Sequence, residues 1–371
     1  MKYRPARDIQ KFAGRKKETA QQRLPPISII ICARNEAENL KTNIPFILAQ
    51  DYPSDLWEVV IVDDASSDDT RTVLNQFQKD ASQLKTISIP PGATREFPGK
   101  KQALHIGILS ASFPTVLLTD ADCRPASLQW LRCMATALIE QDKKIILGYG
   151  AYSRGRGLLN KMVQWETLHT CIQYMGMAIS GMPYMGVGRN LMYQKALYWR
   201  VIKDPGFLRI YKSVPYGDDD LLLAHICTQD NTGLCLQPGS FTISDPEKTV
   251  GSWLDQKSRH LSTGKFYPRD IKTVLGLSAL TQGLFWLLWP LLLACPVLRN
   301  EQPFEKYLWA GIAAFGIIRL GLYWRNAQKW YVILGNRRLW SFYPFGEIGQ
   351  SVLQFVLSPY IFRKNKKQWK S

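Results

Sequence analysis

Carboxylates recur in this chain where apolar runs stop. Asp120 and Asp122, one residue apart, follow the run 115–119; Asp63 and Asp64 close the run 58–62; Ala33-Arg34-Asn35-Glu36 follows the run 27–32. Acidic side chains have poor strand propensity and are costly to bury unpaired, so carboxylates at three strand ends need a partner. Two aspartates spaced by one residue can hold Mg²⁺ or Mn²⁺ and leave positions for water and diphosphate oxygens. An isolated Asp-x-Asp is common in solvated turns, and its weight here comes from the other acidic ends. A carboxylate at 63 or 64 can accept the N3 hydrogen of uracil. Lys100 and Lys101, after the turn Phe97-Pro98-Gly99, offer charge to a diphosphate.

The elements that must position these groups are readable from patterning. Strand candidates at 27–33, 58–64, 85–90, 115–122 and 144–150 alternate with helical spacing, as at 36–50 and 127–141. Such alternation predicts an α/β fold with a mostly parallel sheet covered on both faces, and ligands beyond the carboxyl ends of its strands. A helix is expected over 158–179, then a glycine-rich turn at Gly186-Val187-Gly188, the cluster Gly217-Asp218-Asp219-Asp220, and an amphipathic segment at 253–267.

Composition narrows the class. Apolar residues make up 46% and charged residues 21% of 371, which excludes a disordered or collagen-like chain. The net charge of +17 suits nucleic acid, an anionic membrane or a polyanionic substrate equally. Its distribution is more selective, because the basic residues mass in the first 26 positions and at Arg363, Lys364, Lys366, Lys367 and Lys370. Residues 273–298 are uncharged and long enough to cross a bilayer; 307–324 and 339–362 are further apolar candidates, the third weakened by Pro344 and Glu347. Basic clusters beside apolar spans mark a cytoplasmic membrane face, and crossing by the first two would return Arg325, Lys329, Arg337 and Arg338 to that side. A crossing by the third would put the basic tail outside, so an interfacial or re-entrant path is also open. Seven scattered cysteines without a C-x-x-C pair argue against a disulfide framework or zinc site. The basic N-terminus has no apolar stretch behind it, so no signal peptide is expected. No nucleic-acid recognition module is visible.

The strings IICARNEAENL, VVIVDDASSDDT, GKKQAL, LLTDADCRP, GVGRN, GDDDL and QKSRH, in this order, resemble a membrane-associated family 2 glycosyltransferase of GT-A fold, with poly-N-acetylglucosamine, hyaluronan and ceramide-type synthases nearest in pattern. The likeness covers about 26–267. It implies a UDP-sugar donor, with Ala33, Arg34 and Glu36 framing the uridine, Asp64 with neighbouring Asp63 at the uracil, Lys100 and Lys101 at the diphosphate, Asp122 as direct metal ligand, and Asp120 near the metal and the donor ribose or sugar. It places the catalytic base among Asp218, Asp219 and Asp220: alignment on Gly217-Asp218-Asp219 favours Asp219, alignment on Asp220-Leu221 favours Asp218. Gln256-Lys257-Ser258-Arg259-His260 resembles the family's Gln-x-x-Arg-Trp motif, giving Gln256 and Arg259 donor-side roles, with Arg259 on the diphosphate. His260 stands where tryptophan is expected, which weakens any inference of processive polymer synthesis. Gly188, Arg189, Asn190 and His260 are expected near the acceptor.

The implied activity is inverting, Mg²⁺- or Mn²⁺-dependent sugar transfer from a UDP donor to a lipid or growing glycan at the cytoplasmic face of a bacterial inner membrane. A polyprenyl-phosphate glycosyltransferase is the alternative enzyme, and a non-catalytic membrane scaffold binding an anionic partner the alternative of another class. The expected organisation is a basic segment at 1–25, a GT-A domain at 26–270, and a membrane region at 271–371 with two or three transmembrane or interfacial helices.

Overall fold

The computed structural model describes residues 24–295 and 303–357. The basic positions expected at the start of the chain up to 23, the tail cluster 363–370 and the apolar positions 296–298 and 358–362 lie outside the described residues.

The first half winds β1 (Ile27–Ala33), α1 (Ala37–Leu48), β2 (Trp57–Asp64), α2 (Thr70–Asp80), β3 (Leu84–Ile89), α3 (Lys100–Ser110) and β4 (Thr115–Asp120). β1, β2 and β4 read as nearly continuous apolar runs because both faces of the sheet are covered there, whereas β3, at the sheet edge, alternates and is partly exposed. Ile30, Val60, Val62 and Val116 pack into one core and Ile29, Ile31, Val59 and Ile61 into the other. β1 pairs in parallel with β2 and β4, in a register that sets Ala33 beside Asp63 and Cys32 beside Asp120. That register delivers the acidic strand ends to one edge.

The chain continues through β5 (Arg124–Pro125), α4 (Trp130–Glu140), β6 (Ile145–Leu147), β7 (Gly150–Tyr152), α5 (Leu158–Ile179), β8 (Leu191–Gln194), α6 (Lys195–Ile202), α7 (Pro205–Ser213), α8 (Asp220–Ile226), β9 (Thr232–Leu234), β10 (Thr242–Ser244) and α9 (Val250–Leu261). The main sheet has the order β3-β2-β1-β4-β8-β6-β9, with β8 antiparallel to both neighbours; β5, β10 and β7 form a second sheet. The strand expected at 115–122 therefore ends at Asp120, and the one expected at 144–150 is two strands in different sheets. The break falls at Gly148, whose N–H bonds the Asn190 carbonyl at 3.0 Å and whose missing Cβ would lie 2.5 Å from the Asn190 side chain. Glycine lets the chain pass Asn190 and leave one sheet for the other.

Three helices follow: α10 (Arg269–Ala294), α11 (Pro303–Ile333) and α12 (Tyr343–Leu357). Arg269–Ala294 and Glu305–Ile333 are long and apolar enough to cross a membrane, and only 6% of the most apolar window of each is buried. Ile271 near the start of α10, and Ala327, Trp330 and Tyr331 near the end of α11, are buried in the core that also holds β6 and α5. The two helices thus leave the α/β body and return to it. The described part of the third apolar segment is a 3₁₀ turn, Arg337–Phe342, and α12, which is helical up to the last described residue. It lies against α5, where a Cβ on Gly346 would overlap the Trp165 ring at 2.2 Å.

Gly148→Ala should lower stability by roughly 1–3 kcal/mol through overpacking against Asn190, read as a shift of the urea-unfolding midpoint of the purified protein.

Candidate active site

The site is organised by the start of α3. Gly99 has φ +62°, and a Cβ there would lie 2.4 Å from the Pro215 carbonyl oxygen. This close approach lets Lys100, the first residue of α3, reach two elements at once: its Nζ lies 2.5 Å from Asp120 Oδ1 at the end of β4 and 3.4 Å from Asp218 Oδ2. Burial alone would lower the pKa of this ammonium, but the Asp120 and Asp218 charges outweigh it and hold the group well above its ordinary value. Burial likewise works to raise Asp120, and Lys100 overcomes it to keep that carboxylate below its usual range.

The three consecutive aspartates have three environments. Asp218 faces Lys100. Asp219 Oδ2 accepts the Gly188 N–H at 2.6 Å and its Oδ1 the Asp220 N–H at 2.8 Å; burial and the Asp218 charge push its pKa up to about 6. Asp220 is 6% exposed and accepts hydrogen bonds from Thr263 Oγ1 (3.0 Å) and Tyr267 OH (3.3 Å). Burial and the Asp219 charge raise it well above the usual range, and its two hydrogen bonds tie α8 to the segment after α9.

At the end of β4, ligand atoms of Asp120, Asp122 and Cys123 lie within 4.8 Å of one another. The Cys123 thiol is buried and pushed well up by burial and by the Asp122 charge, so it stays protonated and is a poor metal ligand. Two carboxylates remain, a hard oxygen pair that suits Mg²⁺ or Mn²⁺. Asp122 is solvent-accessible, yet desolvation by the cleft walls and the Asp120 charge raise its pKa. A divalent cation would relieve that repulsion.

The opposite wall comes from the turn 188–190, β7 and α9. Arg189 lies over the Tyr152 ring at 4.4 Å and donates to Ser244 Oγ (2.9 Å) and the Gly150 carbonyl (3.0 Å). Gln256 Nε2 donates to Tyr152 OH at 3.1 Å, and Lys257 forms an ion pair with Glu166 that fixes α9 to α5. Arg259 and His260 also line the cleft, which encloses about 290 Å³. Desolvation and the charges of Lys257, Arg259 and Arg189 lower the His260 pKa, leaving a neutral imidazole. Asn190 does not line the cleft: it is fully buried, donating to the Tyr149 and Ser240 carbonyls and accepting from Trp130 Nε1.

The residues expected around a uridine lie along the same sheet edge but outside the residues lining the cleft. Ala33 is buried and Arg34 partly so. The Glu36 N–H bonds Thr70 Oγ1, and its carboxylate accepts from Asn39 Nδ2 at 2.5 Å. Asp63 accepts from the Ser66 N–H and from Ser88 Oγ, bracing the loop after β2. Asp64 is completely buried and held by both Arg95 Nη atoms, at 2.5 and 3.0 Å. Lys101 turns away from the cleft, donating to the Tyr211 and Val214 carbonyls at 2.8 Å; burial lowers its pKa to about 7. Sequence reasoning missed Arg95, Tyr152 and Lys257. Arg95 had a usable signal, because a carboxylate at the end of a buried strand demands a cation and Arg95 stands in the loop leading to Gly99.

Residues 28–202 match the profile of Glycosyl transferase family 2. The chain carries a glycosyl transferase family 2 domain. It is 27% identical over 171 residues to the probable glycosyltransferase YdaM of Bacillus subtilis, covering 46% of this chain and 38% of that protein. It is 30% identical over 105 residues to a poly-beta-1,6-N-acetyl-D-glucosamine synthase of Staphylococcus epidermidis, covering 28% of this chain and 24% of that protein. These matches span well under half of the relatives' lengths. Among solved structures, the mannosyltransferase PcManGT of Pyrobaculum calidifontis, in complex with GDP-Man and Mn²⁺, superposes with TM-score 0.55 at 19% identity over 90% of this chain and 93% of that one. The shared fold is of GT-A type.

Arg95→Met should cost about 2–3 kcal/mol, below the value for a fully enclosed pair because Arg95 keeps some solvent. Asp64→Asn combined with Arg95→Met should recover most of that loss in urea titrations of the four variants of the cycle.

Proposed function

We propose that this chain is an inverting, metal-dependent glycosyltransferase that moves a sugar from a UDP donor to a hydroxyl of a lipid or growing glycan. The carrying observation is the meeting, in one cleft, of the Asp120 and Asp122 pair, Lys100, the aspartates of the turn before α8, and Gln256 and Arg259 of α9. No one of these features demands glycosyl transfer; their convergence in a family 2 domain is what supports it.

In this reading Asp219 is the base. A sugar hydroxyl is a weak nucleophile, and a carboxylate with a pKa of about 6 takes its proton at neutral pH better than an ordinary one. The N–H groups of Gly188 and Asp220 fix its orientation. Asp218 is committed to Lys100, and Asp220 is buried and bonded inward to Thr263 and Tyr267. Lys100 and Arg259 supply positive charge to the diphosphate, Arg259 through a planar fork. A divalent cation held by Asp120 and Asp122 would stabilise the charge that grows on departing UDP. Attack opposite the leaving group inverts the anomeric centre. At the other end, Asp64 is enclosed with both oxygens held by Arg95, so Arg95, which keeps part of its side chain exposed, is the group that presents donors to a uracil carbonyl. Arg189 and neutral His260 stand on the acceptor side.

The body, 26–270, would sit on the cytoplasmic face of a bacterial inner membrane, with 271–371 as its membrane region. Support comes from the exposed apolar surfaces of α10 and α11, from the return of both helices to the body, and from Arg325, Lys329, Arg337 and Arg338 on that side.

Membranes carrying the protein should transfer label from a UDP-sugar, and Asp219→Asn should lower kcat by about 10²–10⁴-fold. Wild-type transfer should fall as pH drops through about 6, where Asp219 takes up a proton, and the residual activity of the variant should lack that limb. Undiminished turnover in Asp219→Asn contradicts the assignment.

A further inference from the structure

Arg154, Arg156 and Lys161 are exposed basic residues of the α/β body, and none of them lines the donor cleft. In sequence they flank the exposed Leu158, the first residue of α5. The Lys/Arg bias of cytoplasmic loops is counted within about 15–20 residues of a spanning helix. These residues precede α10 by far more, so membrane topology alone does not account for them.

Folding brings them to the foot of α11. Arg154 Nη2 donates to the Gly335 carbonyl at 3.3 Å, and Arg338 donates to Gln164 of α5. Partial burial and the Arg154 charge lower the Arg338 pKa, so the two guanidiniums are close enough to repel. Two residues on, Trp340 meets Trp324, with ring centroids 4.9 Å apart and Trp324 Nε1 donating to the Trp340 carbonyl at 2.8 Å. Trp324 stands where the exposed apolar surface of α11, with Ile317, Ile318 and Leu322, gives way to the exposed Arg325 and Lys329. Tryptophans at such a border sit at the level of lipid headgroups. The contacts therefore set 154–161 near that level too.

The charge gathered there is unmatched. Residues 151–165 and 321–346 contain no Asp or Glu. Neither the basic residues of 154–161 nor Arg325, Lys329, Arg337 and Arg338 form an ion pair among the described residues. Asp245, which accepts from Ser153 Oγ at 2.5 Å, pairs with none of them. Like charges drawn together from two distant segments repel, and an anionic partner relieves that repulsion. Leu158, 71% exposed, adds an apolar side chain to the same surface, which suits a bilayer better than a soluble polyanion. We propose that 154–161 is a docking surface for the phosphate headgroups of anionic phospholipids, with Leu158 at the acyl boundary. The proposal rests on the membrane reading of α10 and α11, and adds to it a lipid contact made by the α/β body itself.

The test uses the full chain in phosphatidylcholine nanodiscs, titrated with pyrene-labelled phosphatidylglycerol and read by energy transfer from the protein's tryptophans. Saturable transfer is expected, with pyrene-labelled phosphatidylcholine about tenfold weaker or more. Each basic residue near an anionic surface is worth about fivefold in binding, so Arg154→Ser, Arg156→Ser and Lys161→Ser together should weaken phosphatidylglycerol binding at least about tenfold. The three side chains are exposed, and an unchanged circular dichroism spectrum shows that the variant is folded. Equal affinity of the wild type for the two lipids, or undiminished phosphatidylglycerol binding by the variant, overturns the proposal. Displacement of the lipid by inorganic phosphate overturns it as well, because it marks a site for free anions. Protein that stays outside the discs counts against the membrane reading. Co-flotation of that protein with phosphatidylglycerol vesicles, compared between wild type and variant, then decides the inference by itself.

Discussion

The structure depends on the repulsion among carboxylates gathered at one sheet edge and on the cation that contains it. Asp120, Asp122, Asp218 and Asp219 line one cleft, and Lys100 pairs with members of both groups. Without that ammonium, the end of β4 and the turn before α8 would repel each other. Its reach requires the left-handed Gly99 and the close pass of Pro215, so a backbone detail of one loop sets the electrostatics of the whole cleft. The pairing leaves Asp122 and Asp219 without a direct ion pair among the described residues and with raised pKa values, conditions that suit a metal site and a general base respectively.

Much of this was legible in the sequence. Three parallel strands, β1, β2 and β4, and the 22-residue α5 announce themselves through apolar runs and helical spacing, because both faces of the sheet there and most of α5 are buried. The acidic ends were legible for the same reason, since charge stands out where an apolar run stops. What was not legible depends on contacts between segments far apart in sequence. Whether 144–150 is one strand or two is decided by Asn190, and whether Lys101 faces a ligand is decided by the carbonyls of Tyr211 and Val214. The differing roles of three identical neighbours, Asp218, Asp219 and Asp220, are set by Lys100, Gly188 and Thr263, none adjacent to them in the chain.

The body and the apolar helices are mechanically joined. α9 carries Gln256 and Arg259 on the cleft side and is pinned to α5 through Lys257 and Glu166. α5 in turn packs on α12 at Gly346 and reaches α11 through the hydrogen bond of 2.8 Å between His169 and Tyr331. One helix therefore borders the cleft on one face and the apolar layer on the other, which is the geometry a transferase acting on a membrane-embedded acceptor would require.

The central claim is that side chains remote in sequence form one site for a metal-bound nucleoside diphosphate. Calorimetric titration of UDP into the purified protein, with and without Mn²⁺, tests it most directly. The account predicts saturable UDP binding that needs Mn²⁺ and is abolished by Asp122→Ala. Absence of UDP binding in the presence of Mn²⁺, or binding indifferent to both the metal and Asp122, would contradict it.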